Sequence, residues 1–256
     1  MDHDYWETIA FSPIDSTSKT IGSLIVTVSR NGNEWLVEHE RTAPLVENGD
    51  VAPPLTAKKT ERYVVGQNFE TVTFHPVLPD RSVITRPETP LAVPPGQEIA
   101  LYVSVPLWVS IQIGKEKIQL TEVPIIRLSD SFFGSSTTSG ELCYAGKTRA
   151  RLNHTELSTE PYRALIRVSV KNSSNVHLMI NHLNLPLPIL SLFKDEHGLF
   201  WIQPLKINKK SDDEDATVEP TAPLLNDIPG PTLVNEPRSP AKNKTIIGII
   251  GSYFTK

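Results

Sequence analysis

Apolar residues return at every second position along almost every patterned stretch of this chain, and that spacing is the strongest constraint on its fold. In GSLIVTVSRNGNEWLVEHER, Gly22 to Arg41, the residues Leu24, Val26 and Val28 alternate with polar neighbours. Asn31 and Gly32 supply residues tolerant of positive φ, and Trp35, Val37 and His39 follow on the return, so the stretch reads as a β-hairpin. The same alternation marks ERYVVG, FETVTFH, EIALYVSV, LWVSIQI, ELCYAGKTRARL, RALIRVSVK and LFWIQPLKI as strands. No window sustains the i, i+3, i+4, i+7 spacing of an amphipathic helix. The chain is therefore expected to be all-β, an antiparallel sandwich or barrel organised as one large or two small β-domains.

Strand patterns run through residues 1–208, with a second reading that divides this domain near residues 90–97. Beyond Asn208 the chain becomes charged and proline-rich, with little apolar surface to offset the entropy of ordering it. Residues 209–244 are expected to form a flexible, disordered acidic linker. Residues 245–256 are expected to be a short apolar C-terminal segment that docks in cis, in trans or on a membrane surface.

The net charge of -4 and a pI of about 6.0 give no global attraction to nucleic acid or anionic lipid, so any such affinity has to be local. A single cysteine, Cys143, forms no internal disulfide, and MDHDYWETIAF lacks the basic and apolar regions of a secretory signal. A cytoplasmic location is the expectation. The longest apolar run, Ile99 to Ile113, is shorter than the roughly 20 residues that span a bilayer and is broken by Pro106, so no transmembrane segment is expected.

Catalytic signatures are missing locally. GSSTTSG, Gly134 to Gly140, has no Gly-Lys-Ser/Thr to make a phosphate loop and no G-x-S-x-G to make a nucleophile elbow, and reads as a flexible connection. His177 and His182 lie five apart and face opposite sides of a strand, so they chelate no common ion, and no metal site or cofactor is expected. Cys143 has no base beside it and reads as a small packed residue. Trp35, Trp108 and Trp201 fall in strand patterns and read as core.

Charge is more informative. In KTRAR, Lys147, Arg149 and Arg151 stand two apart and share a face, and in RALIRVSVK so do Arg163, Arg167 and Lys171. Pairing of these two strands would place all six cations on one surface. Directly opposed like charges cost roughly 0.2–1 kcal/mol per pair, which calls for neutralisation by Glu on neighbouring strands, by the acidic run Asp212 to Asp215, or by an external anion. These six residues are the candidate binding residues, and a protein partner or anionic ligand is the expected occupant. The leading reading is a non-enzymatic β-domain that binds another macromolecule through this face and a mobile tail. The alternative is a small-ligand or carbohydrate-binding protein, or a hydrolase, using a concave sheet face with Trp108 or Trp201.

Between Pro106 and Leu152, the phrases LWVSIQIG, VPIIRLSDSFFG and GELCYAGKTRARL resemble a prokaryotic all-β family known as a domain of unknown function. The resemblance carries over no catalytic residues. It implies an accessory role beside a small mechanosensitive membrane channel.

Overall fold

A computed structural model describes residues 5–41, 46–47, 50–51, 58–136, 139–211, 216–222 and 229–240. Within them the chain is all-β, with no α-helix and two single 3-10 turns at His154–Glu156 and Leu187–Ile189. The first strands are β1 (Thr8–Ala10), β2 (Ile14–Ile21), β3 (Leu24–Asn31), β4 (Glu34–Arg41), β5 (Val46–Glu47), β6 (Asp50–Val51), β7 (Lys59–Val64) and β8 (Thr71–Val77). Next come β9 (Val83–Thr85), β10 (Leu91–Val93), β11 (Glu98–Pro106), β12 (Trp108–Ile113), β13 (Ile118–Pro124), β14 (Ser129–Ser136), β15 (Ser139–Ala145) and β16 (Arg163–Asn172). The last are β17 (Leu178–Ile180), β18 (Leu183–Leu185), β19 (Leu192–Lys194), β20 (Phe200–Ile202), β21 (Leu205–Lys209), β22 (Thr217–Pro220) and β23 (Thr232–Asn235). The chain divides into two compact units, Met1–Val77 with Pro106–Arg127, and Leu78–Val105 with Leu128–Lys256. The divisions fall after Val77, Val105 and Arg127, not within residues 90–97.

The first unit contains two four-stranded antiparallel sheets, β2-β3-β4-β7 and β1-β8-β12-β13. Their apolar faces meet: Lys19 of β2 lies over the ring of Phe74 of β8, 5.2 Å from its centroid, and Phe11 stacks on Trp35 at 5.6 Å. Val26, Val28, Trp35 and Val37 from one sheet and Val72, Phe74, Val109 and Ile111 from the other are buried there. Full burial of each such aliphatic side chain contributes roughly 1.5–3 kcal/mol. The β3–β4 hairpin forms as the sequence indicates, but its two-residue loop is Gly32-Asn33, because Asn31 already pairs with Glu34. Gly32 takes φ +61 at the first loop position, a conformation that favours glycine, and Gly22 repeats it with φ +58 between β2 and β3.

In the second unit the largest sheet runs β22-β21-β16-β20-β19-β23, with β11 also bonded to β16. A four-stranded sheet, β14-β15-β9-β18, and the pair β10-β17 complete the unit. Not every ladder is antiparallel. Strand β16 runs parallel to both β20 and β21, because the chain leaves it at Asn172 and returns through crossovers before each pairing. Asn172 closes the end of β16 with its amide donating to the carbonyls of Val93 (2.8 Å) and Val176 (2.7 Å) and its oxygen accepting from Ser174.

Part of the segment expected as a linker is instead paired. Strand β22 zips antiparallel onto β21 with Val218 buried opposite Ile207, and β23 pairs with β19 with Leu233 opposite Phe193. Arg238 anchors the following residues by donating to the Leu78 carbonyl at 3.0 Å. Each strand is four residues long, too short for alternation to stand out among the surrounding prolines and charges. The acidic run Asp212 to Asp215 and the segment 245–256 lie outside the described residues.

Candidate functional site

Residues that pair across a sheet share a face, so the register of the largest sheet fixes what stands beside β16's polar side chains. Strand β16 presents Ala164, Ile166, Val168 and Val170 to one side, all buried, and Arg163, Leu165, Arg167, Ser169 and Lys171 to the other. On that second side Leu165 stands level with Trp201 of β20, Ser169 with Lys206 of β21, and Lys171 with Asn208. Farther out on β22, Glu219 opposes Lys206 and Thr217 opposes Asn208.

The face therefore changes character along its length. At its start, Leu157, Leu165 and Trp201 form an apolar cluster against Tyr102, Phe193 and Leu199. His154 lies between the rings of Tyr102 (5.4 Å) and Trp201 (6.2 Å). Past Leu165 the face becomes basic and half-buried, with Arg167, Lys171 and Lys206 around Ser169. Among the described residues, no carboxylate lies within ion-pair distance of Lys171 or Lys206. Asn208 accepts a hydrogen bond from the Ser173 hydroxyl at 2.9 Å, which fixes the polar end of the face.

The six cations expected on one ribbon are distributed differently. Lys147, Arg149 and Arg151 are not on a strand that pairs with β16. Strand β15 ends at Ala145, opposite Ser129, where its partner β14 begins, so the following residues have no antiparallel ladder to extend. They run beside β9 and β11 instead: Gly146 donates to the Ile84 carbonyl, Ala150 to that of Arg86, and Arg151 bridges Tyr102. Arg151 is ion-paired with Glu88, Arg149 is exposed and Lys147 is half-buried. Arg163 is internal, 3% exposed, and its guanidinium donates to the Ser104 hydroxyl (2.7 Å), the Ser104 carbonyl (2.8 Å) and the Thr148 hydroxyl. It is a strut between β16, β11 and the 147–151 segment, so it cannot be a contact residue. Arg167 and Lys171 keep the shared face expected of them. Lys206 was not among the candidates, although the alternation in LKIN carried the signal once β21 is set parallel to β16.

The stretch Ser129 to Ala145 is a hairpin, β14 with β15: Glu141 to Ala145 lie on a strand as expected, whereas the described ends of Gly134 to Gly140, expected as a flexible connection, belong to the paired strands. Its tip, residues 137–138, lies outside the described residues. Phe132 and Leu142 oppose each other on one face and are about half exposed, at 47% and 52%. Gly140 is required there, because a Cβ would come within 2.5 Å of the Phe133 carbonyl oxygen. At the hairpin's base Tyr144 donates to Asp80 at 2.7 Å and Arg81 pairs with Asp130 at 3.0 Å. Burial, and then the Asp80 carboxylate, push the Tyr144 phenol up to about 12.

Cys143 is fully buried, with its sulfur 3.6 Å from a Glu141 carboxylate oxygen. Burial first, and then the Glu141 charge, push its thiol up to about 12, so the nucleophilic thiolate is absent at neutral pH. Iodoacetamide is expected to leave Cys143 unmodified in the folded protein and to alkylate it at the rate of unfolding, which peptide mass spectrometry over a time course checks. Trp201 is buried with its indole N–H donating to Asp195 at 2.9 Å, and Trp35 is buried as well, so neither offers a sugar-stacking surface. Trp108 is half-buried on β12. Among the described residues, no group of three or more His, Cys, Asp or Glu side chains is placed to hold a metal, and no helix is long and apolar enough to cross a membrane.

Compared with known proteins, residues 5–250 match a family model described as a protein of unknown function (DUF432). No curated protein and no solved structure matches the chain.

Proposed function

The chain belongs to the DUF432 family, and we propose that it is a non-enzymatic binding module whose basic sheet face takes up an extended acidic segment of a protein partner. The observation behind this reading is a spacing. Lys206 stands level with Ser169, midway between Arg167 and Lys171, so three cations follow one another at two-residue steps along the strand direction. Each step advances about 6.6 Å, the distance between alternate side chains of an extended peptide. A peptide lying along the face with carboxylates at i, i+2 and i+4 therefore meets one cation at each, the middle one being Lys206, which Glu219 of β22 faces from its far side. Ser169, Asn208 and Ser173 are short polar side chains that leave room between them. The channel-accessory role implied by the family resemblance is one setting in which such a segment would be encountered.

The test uses a fluorescent peptide of alternating Glu and Ser, read by anisotropy. The wild-type chain is expected to bind it with an affinity that falls as salt rises. Lys171→Glu with Lys206→Glu is expected to weaken binding by about tenfold or more, since reversal replaces attraction by repulsion at two of three contacts. Lys115→Glu, an exposed residue of the first unit, is expected to leave it unchanged. Equal binding by all three proteins would refute the reading.

A further inference from the structure

A second basic cluster, in the first unit, gathers where β4 and β7 of one sheet approach the end of β13 of the other. On β4 the inward positions after Val37 are His39 and Arg41, and the register sets Lys59 of β7 directly opposite His39. Arg41 donates to the carbonyls of Pro124 and Ile125, the latter at 3.3 Å, which brings its guanidinium beside Arg127. Glu61 is the carboxylate of β7 on this side, and it already accepts from Lys59 and from the Tyr63 hydroxyl at 2.7 Å. Among the described residues three permanent cations, Arg41, Lys59 and Arg127, therefore stand against one engaged carboxylate, with the His39 imidazole between them.

The crowding is felt by the groups themselves. Arg41 is drawn down to about 10, by burial first and then by Arg127. His39 is lowered by burial and then by Lys59 and Arg41, with Glu61 opposing. Burial alone would raise the Glu61 carboxyl, but Lys59, Tyr63 and Thr121 bonded to it hold it at about 2. Like charges held together at a partly buried position are relieved by an anion that accepts from several of them at once.

We infer that Arg41, Lys59 and Arg127, with His39, form a binding site for a phosphate-type oxyanion. Arg41 uses one edge of its guanidinium on the two carbonyls and keeps donors for the anion, so it is held in place before the ligand arrives. Arg127 and Lys59 are exposed and close on the ligand from the solvent side. The same chemistry is offered by free phosphate and by an anionic lipid headgroup. The site belongs to a different unit from the acidic-peptide face, so its failure and the failure of that proposal are distinguishable.

Two probes are used with the full chain: inorganic phosphate, by calorimetry and by the shift of the His39 imidazole resonance, and phosphatidylglycerol vesicles against phosphatidylcholine vesicles, by flotation. Binding is expected in at least one arm. Arg127→Ala and Lys59→Ala each leave the Arg41 carbonyl bonds intact and are expected to weaken it by about tenfold, the scale of one lost charge-assisted hydrogen bond. Phosphate binding without vesicle binding assigns a soluble ligand, and binding to phosphatidylglycerol alone assigns a headgroup. Binding in neither arm, or binding that both variants leave unchanged, overturns the inference.

Discussion

Arg163→Leu is expected to lower the stability of the second unit by about 3–4 kcal/mol, read as a fall in the urea midpoint with an unchanged slope. The guanidinium is 3% exposed and supplies the hydrogen bonds that tie the Ser104 hydroxyl, the Ser104 carbonyl and the Thr148 hydroxyl to the start of β16. Leucine fills similar volume but leaves those oxygens buried without that donor, and each such loss costs about 1–3 kcal/mol. Arg163→Lys keeps the charge without the planar fork and is expected to recover only part of the loss. Arg149→Leu, at an exposed position on the adjoining segment, is expected to change stability by less than about 0.5 kcal/mol. Two equal effects would show that the strut assigned to Arg163 is wrong.

Asp195→Ala is expected to cost about 3 kcal/mol in the same measurement. One carboxylate oxygen accepts from the backbone N–H groups of His197 (2.9 Å) and Leu199 (2.8 Å), and the other from the Trp201 indole at 2.9 Å. The carboxylate thus fixes the β19–β20 turn and holds Trp201 against Leu157 and Leu165. Its removal strands three donors and loosens the apolar end of the candidate face, so the loss of stability is expected to come with a weakened near-ultraviolet dichroism of tryptophan. Asp195→Asn, which keeps the shape and one acceptor, is expected to be milder.

Much of the architecture was legible in the alternation itself. Strands β3, β4, β8, β11, β12 and β16 bury one parity of their side chains, and that signal survives in any sequence window long enough to show it. Strand β2 was not legible. It is an edge strand reading IDSTSKTI, with few apolar residues to alternate, and only its threonines and the Gly22-Ser23 turn point to it. The hairpin through FFGSS was hidden by its small hydroxyl residues, which strands and loops share. Strands β22 and β23 were hidden by their length.

The candidate face was legible by half. Parity correctly placed Arg163, Arg167 and Lys171 on one side of β16, but parity is a property of a single strand and says nothing of its neighbours. Which strand lies beside β16 depends on crossovers, and β21 arrives parallel after more than thirty residues, bringing Lys206 where KTRAR was expected. Nor does parity report depth. Arg163 and Arg167 share a side, yet the loop carrying Thr148 covers one and leaves the other half-buried.

The acidic-segment reading can be tested in the cell by placing a photo-crosslinking amino acid at position 169, between the three cations, and irradiating. A crosslink from this position into an acidic stretch of a protein partner is expected, and it is expected to be lost when Lys171→Glu and Lys206→Glu are added. No crosslink from position 169, or one that persists after both charges are reversed, would contradict that reading.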